Sequence, residues 1–182
     1  KMKLLSVDQW GTNKWKNMRS AFAGTENMYI KATDTPDLSQ ATDLSWMFVG
    51  NKSLKGESAN WNWNTSTITK MSGVFQNANQ FNQNIGSWDV SKVTDTAAMF
   101  NGASAFNNGG SDSIANWNTS NLVIANDMFR KAASFNQPIG SWDMKKVQFL
   151  VRFLSDATSF NQSLAAWRLD SLVILPGKPL SG

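Results

Sequence analysis

The chain has 182 residues, a net charge of +4, and neither cysteine nor histidine. The absence of cysteine excludes disulfides, thiolate metal sites and thiol nucleophiles, and the absence of histidine removes the commonest general base and metal ligand. Charged residues make up 16 % of the chain, and the basic ones are spread along it without the dense stripe typical of nucleic-acid-binding proteins.

One repeat organises the whole sequence. Its clearest copy begins at Trp88, which is followed twelve residues later by Phe100. We call the first residue of each copy its anchor and number the positions of a coil from there, so that Phe100 stands at position +12. The anchors are Trp10, Pro36, Trp63, Trp88, Trp117, Trp142 and Trp167, spaced 26, 27, 25, 29, 25 and 25 residues apart. A fixed period of this length is typical of proteins in which each repeat is one coil stacked on its neighbours.

The chain reads as a single repeat domain over residues 1–182. It begins with a half-coil that ends at Trp10, and the repeat pattern stops after Leu175, which leaves a tail from about residue 176. The first residues carry no signal peptide, and no apolar run approaches the roughly 18 residues needed to span a bilayer. We therefore expect no membrane insertion in this segment and interpret the chain as a piece of something longer.

Each coil is predicted to contain one strand and one helix. Short β-branched and apolar residues from the anchor to position +5 predict a brief strand, paired in parallel with its equivalent in the next coil. Apolar residues then recur at +8, +11 and +12, as in Met71, Val74 and Phe75, which is the spacing of one helix face. The sequence therefore predicts an α/β solenoid with one short parallel strand and one short helix per coil.

A core of aromatic side chains is predicted along the stack, because a single coil is too small to fold alone. Phenylalanine or leucine fills position +12, and a second aromatic or apolar side chain follows six residues later. The predicted core consists of Phe48, Phe75, Phe81, Phe100, Phe106, Phe129, Phe135, Leu154, Phe160, Trp88 and Trp142. The segment 107–113, NNGGSDS, is four residues longer than the period requires and is predicted to be a mobile loop.

The phrases IGSWDVSKVTDTAAMF, MFNGASAFN and SFNQPIGSW resemble the repeat of BspA-like leucine-rich-repeat surface proteins, including the mycoplasma-type lipoprotein repeat. The resemblance covers Trp10 to about Leu175. It implies a right-handed, leucine-rich-repeat-like α/β solenoid and a larger bacterial protein that is secreted or anchored at the cell surface. Adhesion or protein recognition is the function it implies, and it carries no ligand over to this chain.

Three aromatic residues stand outside the repeat pattern and are the candidate binding residues. Trp61 stands where other coils have Asp, Gly or Ala, and Tyr29 stands where Asn82, Asn136 and Asn161 stand. Trp46 occupies a position that is held in other coils by Ser20, Gly73, Ala98, Asp127 and Arg152. Such positions are expected to be exposed, whereas the anchor tryptophans are interpreted as packing residues. Arg130 and Lys131 are a candidate polar rim.

Catalysis and metal binding find little support. Without His or Cys, an enzyme would need paired carboxylates or a Ser-Lys arrangement, and no acidic pair with a distinctive context recurs. An acidic and amide column follows the anchors, and it could supply oxygen ligands to calcium or hydrogen bonds within turns. We favour the turns and predict no cofactor and no metal. The column consists of Asp37, Asn64, Asp89, Asn118 and Asp143.

These observations leave three hypotheses for function. The first is a non-enzymatic, extracellular or cell-surface module that binds another protein, from a host or a neighbouring cell. The second is a glycan-binding module in which Trp46 and Trp61 stack on sugars. The third is a structural stalk whose binding element lies elsewhere.

Overall fold

The computed structural model of the protein describes residues 6–173, which leaves the predicted tail outside the described residues. The regular elements are a parallel pair of strands, β1 (Ser6–Val7) and β2 (Tyr29–Ile30), and three short 3₁₀ helices at Asn108–Gly110, Asp112–Asn116 and Ile139–Ser141. Between residues 6 and 173 no helix is longer than five residues. The prediction of a leucine-rich-repeat-like α/β solenoid, with a strand and a helix in each coil, is therefore wrong.

A ribbon of overlapping β-turns stands where the helices were predicted. In the coil anchored at Trp88, the amide of Ala98 donates to the carbonyl of Asn126 in the next coil at 2.8 Å. The amide of the next residue, Met99, donates instead to the carbonyl of Thr96 within its own coil at 3.0 Å. In this coil the amides at +8, +10, +12 and +14 thus donate to the following coil, whereas those at +11 and +13 donate to the carbonyl three residues back. We call this segment the turn ribbon.

The alternation explains why a helix does not form. An α-helix uses every interior amide for a bond four residues back, so none is free to bond a neighbouring coil. In the turn ribbon, the third residue of every second β-turn has a positive φ, as a type II turn requires. The values are +54° at Ala98 and +75° at Gly102. Positions +10 and +14 have positive φ in every coil from Trp10 to Trp142. The ribbon therefore exchanges helical bonds for a ladder between coils.

The predicted strands are also replaced by turns. In the coil anchored at Trp88, Asp89 accepts a hydrogen bond from the amide of Ser91 at 2.9 Å, and the amide of Val93 donates to the carbonyl of Val90 at 2.9 Å. These turns bend the chain just after the anchor, so it cannot run extended to +5. In the coils anchored from Pro36 to Trp142, single parallel bridges stand instead at position +7 and link Asp43, Lys70, Asp95, Ile124 and Phe149 in succession.

Two columns of phenylalanine rings fill the interior. The first consists of Phe22, Phe48, Phe75, Phe100 and Phe129, with neighbouring ring centroids 5.4–5.7 Å apart and planes within 12°. The second consists of Phe81, Phe106, Phe135 and Phe160, with centroids 5.9–6.1 Å apart. Within one coil the two columns meet face to face, as Phe100 and Phe106 do at 3.9 Å. The two columns together form one continuous aromatic interior.

Not all of the predicted core is fully buried. The two columns are buried from Phe48 to Phe135, but Leu154 and Phe160 are half-buried. Leu154 cannot continue the ring column, and Phe153 packs edge-on against Phe129 in its place, at 83° and 5.3 Å. Phe160 stacks on one ring only, that of Phe135, among the described residues.

Three of the anchor tryptophans donate a hydrogen bond to the coil before them, and one of these is Trp167, which donates to the carbonyl of Ile139 at 3.0 Å. The indole nitrogens of Trp88 and Trp142 each donate to a main-chain carbonyl of the preceding coil at 2.8 Å, and both side chains are buried. The carbonyl acceptors belong to Trp61 and Ile114. These anchors therefore combine core packing with a polar bond between coils, which satisfies an N–H group that burial would otherwise leave without a partner.

Candidate functional site

Trp46 is covered by its own chain instead of standing free. The guanidinium of Arg19 lies 4.2 Å from the centre of the indole, in cation–π contact. A Cβ atom on Gly73 would come within 2.4 Å of the Trp46 Cδ1 atom, so the ring also lies against the main chain of the next coil. The side chain is half-buried between these neighbours. The expectation of an exposed stacking surface at Trp46 is therefore wrong.

Trp61 belongs to the core. Its side chain is 4 % exposed, stacks on Trp63 with ring centres 5.2 Å apart, and meets Phe81 edge-on at 5.1 Å. The indole nitrogen donates to the carbonyl of Gly56 at 3.2 Å. The segment 55–60 is two residues longer than the period requires, and it supplies the acceptor that allows the ring to turn inward. The prediction that Trp61 is exposed is wrong.

Tyr29 is the off-pattern aromatic that faces solvent. Its side chain is 44 % exposed, whereas all other aromatic side chains within residues 6–173 are buried or half-buried. It lies on β2, where it pairs with Ser6 on one side and forms a parallel bridge with Lys55 on the other. Lys31, two residues further along, is exposed on the same face. We call Tyr29, Lys31 and Lys55 the Tyr29 patch.

Later coils use the position of Tyr29 to hold the stack together. The side-chain oxygen of Asn82 accepts from the amide of Asn107 at 2.8 Å, and Asn107 accepts in the same way from Asn136 at 2.9 Å. Asn136 accepts in turn from Asn161 at 3.0 Å. Tyrosine has no amide oxygen at that distance from its main chain and cannot form this ladder. The first coil therefore exposes an aromatic ring at this position, whereas Asn82, Asn107 and Asn136 use their side-chain oxygens to bond the next coil.

Arg130 and Lys131 are not close to the Tyr29 patch. They lie four coils further along the stack, where Arg130 is half-buried and 3.8 Å from Asp127, and Lys131 is exposed. Asp127 is also held by two hydrogen bonds from Arg152, at 2.8 and 3.0 Å, which raise the pKa of that guanidinium. The predicted candidates thus do not form one site.

The segment 107–113 is tied to the body of the stack. Asn108 is fully buried and accepts from the amide of Ile85 at 2.9 Å, and Asn82 accepts from the amide of Gly109 at 3.0 Å. The segment also folds into 3₁₀ turns. The prediction of a mobile loop is wrong, because its polar side chains bond the preceding coil.

A family model described as "Mycoplasma protein of unknown function, DUF285" matches residues 16–113 and again residues 111–175. The chain belongs to this family. The match agrees with the mycoplasma-type part of the sequence resemblance, and it gives no support to an assignment among leucine-rich-repeat proteins of the BspA-like type. Searches of curated proteins and of solved structures found no match to the chain.

The acidic column of this DUF285 protein is committed to turns. Each of the five side chains after the anchors accepts from the amide two residues further on, at 2.9–3.1 Å. Hydrogen bonds from Ser39 lower the pKa of Asp37, and those from Ser91 lower the pKa of Asp89. No group of three acidic side chains among residues 6–173 is placed to hold a metal ion.

Two further features concern the surface of the DUF285 chain. Over residues 6–173, none of the helices has both the length and the apolar character required to cross a bilayer. At the N-terminal end of the stack, Val7, Trp10, Trp15 and Phe22 line an open cavity of about 620 Å³. This apolar end face was not predicted from the sequence, although Trp15 and Phe22 are apolar residues of the first coil and indicated it.

Proposed function

We propose that this DUF285 chain is a non-enzymatic recognition module that binds another protein, and that it acts in adhesion at the bacterial surface. The observation that carries the proposal is the Tyr29 patch, with one exposed ring beside two lysines. Tyrosine is enriched among the residues that dominate binding energies at protein interfaces. The lysines favour a partner that presents acidic side chains around an apolar pocket.

The state of the carboxylates supports a non-enzymatic role. Catalytic acids and bases need a pKa near the working pH, which requires burial or a like charge nearby. In this chain the resolved shifts at Asp34, Asp37, Asp43 and Asp89 all lower the pKa, because main-chain and side-chain groups of neighbouring turns donate hydrogen bonds to them. These groups act as turn acceptors.

The glycan-binding alternative loses the residues on which it depended. Trp61 is buried in the core, and Trp46 lies between Arg19 and Gly73. Sugar rings bind to a free aromatic face, and neither indole offers one. We therefore favour a protein partner and use glycan binding as a contrasting outcome of the test.

The binding test compares three variants on one support. Immobilised protein is exposed to lysates of host cells and of neighbouring bacteria, and retained proteins are identified and then titrated against each variant. We expect Tyr29→Ala to abolish capture, Tyr29→Phe to retain most of it, and Leu169→Ala to bind like the native protein. Leu169 is a matched control because it is an apolar side chain of similar exposure, 37 %, at the other end of the chain.

Two other outcomes would favour the alternative functions. Binding to a glycan array that survives Tyr29→Ala would favour a glycan-binding module, and absence of binding in both assays would favour a stalk. Localisation is tested separately, by labelling intact and permeabilised cells with an antibody to this segment. The proposal of an extracellular position within a longer exported protein requires labelling of the intact cells.

A further inference from the structure

The hydrogen bonds from anchor tryptophans to the preceding coil are interrupted in the middle of the stack. The indole nitrogen of Trp142 donates to the carbonyl of Ile114, three residues before the preceding anchor, at 2.8 Å. The equivalent carbonyl for Trp117 belongs to Ile85, and it accepts instead from the amide of Trp88, at 3.0 Å. The indole nitrogen of Trp117 is therefore buried and makes no hydrogen bond to the described residues.

The ring of Trp117 is also out of line with the anchor before it. It stacks on Trp142 with ring centres 5.7 Å apart, but it does not form a stacked pair with Trp88. The segment between Trp88 and Trp117 is the one with four additional residues, and these place Ser113 against Gly86, where an added Cβ would overlap the Ser113 side chain. The interruption thus coincides with the longest coil of the stack.

A small cavity lies beside Trp117, inside the stack. Its volume is about 10 Å³, and each of the side chains that line it is at most 6 % exposed. Thr96 and Thr119 contribute to the lining together with apolar side chains. A volume of this size is close to the smallest that can hold one water molecule. The cavity therefore suits a single water and excludes larger molecules.

Two buried threonine hydroxyls supply acceptor oxygens at this cavity. Thr119 Oγ1 donates to the carbonyl of Asp143 at 3.1 Å, and Thr96 Oγ1 lies within 3.3 Å of the carbonyl of Ile124 and the sulfur of Met128. Each hydroxyl uses its single proton in these bonds, so its oxygen can still accept one from another group. In every other coil the residue at +8, the position of Thr96, is Met, Leu or Ala. Thr96 thus brings a polar group into an apolar row.

We propose that one water molecule binds in this cavity as a fixed part of the fold. It accepts from the indole N–H of Trp117 and donates to the hydroxyl oxygens of Thr96 and Thr119. These contacts give it the two to four polar partners that a buried water requires, and they satisfy an N–H group that is costly to bury unpaired. Because Thr96 belongs to the coil before Trp117, the water completes through one molecule the connection that the neighbouring anchors make directly.

Nuclear Overhauser effects between water and the native protein test this site. The Hε1 proton of Trp117 is assigned by the loss of its signal in Trp117→Phe. We expect this proton to show a cross-peak to water, with the sign of direct contact in a rotating-frame spectrum instead of the sign of proton exchange. The Hε1 proton of Trp88 should show none, because it bonds the carbonyl of Trp61 and Trp88 does not line the cavity. A Trp117 proton without this cross-peak would overturn the proposal.

A pair of threonine variants tests the partners of the water. Thr119→Val removes one of them, and Thr65→Val is the matched control. Thr65 also stands at +2, is buried and donates to the carbonyl of Asp89 at 2.9 Å, but it does not line the cavity. Both variants lose one hydroxyl-to-carbonyl bond, so we expect the cross-peak of Trp117 to be lost in Thr119→Val and retained in Thr65→Val. Equal cross-peaks in the two variants, or a crystal structure of the native protein without water at hydrogen-bond distance from the Trp117 nitrogen, would contradict the site.

Discussion

The ring of Phe100 lies 3.9 Å from that of Phe106 and within 7° of parallel, so that one coil joins both aromatic columns of the core. Phe100 also stacks on Phe75 and Phe129 at 5.6 and 5.4 Å. Removing it would interrupt three stacked pairs at once. We expect Phe100→Ala to lower the free energy of unfolding by about 3–5 kcal/mol, as buried Phe→Ala changes commonly do.

Urea denaturation measures this loss. Gln80→Ala serves as the surface control, because Gln80 is exposed and its change should stay within about 0.5 kcal/mol. Similar small losses at both positions would mean that the columns do not stabilise the stack.

Substitutions at two glycines distinguish the free-energy cost of backbone strain from the cost of crowding a neighbouring side chain. Gly24 and Gly73 have φ of +72° and +60°, but an added Cβ meets nothing within 4 Å at Gly24 and comes within 2.4 Å of Trp46 at Gly73. We expect Gly24→Ala to cost about 1 kcal/mol for the left-handed conformation alone. Gly73→Ala should cost about 1–3 kcal/mol more, because the indole must move from its place between Gly73 and Arg19.

The check combines unfolding free energies with the fluorescence of the folded proteins. A shift of the tryptophan emission in Gly73→Ala, absent from Gly24→Ala, would report the displaced ring. Equal stability of the two variants would contradict the contact between Trp46 and Gly73.

The asparagine ladder is tested at Asn107, whose side-chain oxygen accepts from the amide of Asn136 and the side chain of Gln137, both at 2.9 Å. Asn107→Leu removes the acceptor and should lower the free energy of unfolding by about 1–3 kcal/mol, since the half-buried amide of Asn136 loses its partner and the buried side chain of Gln137 loses one of two. Asn107→Asp keeps an acceptor oxygen and should lose clearly less near pH 7. The stabilities of both variants are compared in thermal melts. An Asn107→Asp protein as unstable as the Asn107→Leu protein would rule out a role for Asn107 as an acceptor.

Asp34 makes stability depend on pH in a defined direction. Its carboxylate accepts from the amides of Trp10, at 3.0 and 3.1 Å, and of Gly11, at 2.8 Å, and these bonds hold its pKa below the ordinary 3.8. A depressed folded pKa gives stability that is complete above the unfolded pKa and is lost as the pH falls through the folded one. We therefore expect native protein to exceed Asp34→Asn in melting temperature at neutral pH, with the difference shrinking below about pH 4.

The other acidic groups titrate in both proteins, so the difference isolates Asp34. A gap that widens in acid would contradict the assignment of the bonds to the charged form.

The period and the interior columns could be predicted from spacing, because a ring at +12 of each coil must stack on its equivalents once the coils are in register. The helices could not, since a turn ribbon and a helix bury the same positions, +8, +11 and +12. The two structures differ in the carbonyl groups to which the main-chain amides donate. A signal was present in Gly24, Gly50 and Gly102 at +14, because glycine recurring inside a predicted helix indicates positive φ.

The candidate site was harder to predict than the core. The patterns at Trp61 and Tyr29 are alike in sequence, as each ring replaces a polar residue of other coils. A segment that is two residues longer and contains the carbonyl acceptor of Gly56 draws Trp61 inward, while the pairing of β2 with Lys55 leaves Tyr29 outward. The burial of Trp61 and the exposure of Tyr29 depend on contacts with other segments of the chain, which the repeat pattern of a single coil does not reveal.

The ladder bonds of the turn ribbon run along the axis of the stack, which determines how the protein responds to force. When force is applied to the two ends of the chain, the hydrogen bonds between one pair of coils carry the load first. The coils therefore separate one after another, instead of all at once. We expect the coils to peel off singly, each releasing about 80–90 Å of extended chain. The stack would then behave as a tether that lengthens in steps and re-forms when tension falls.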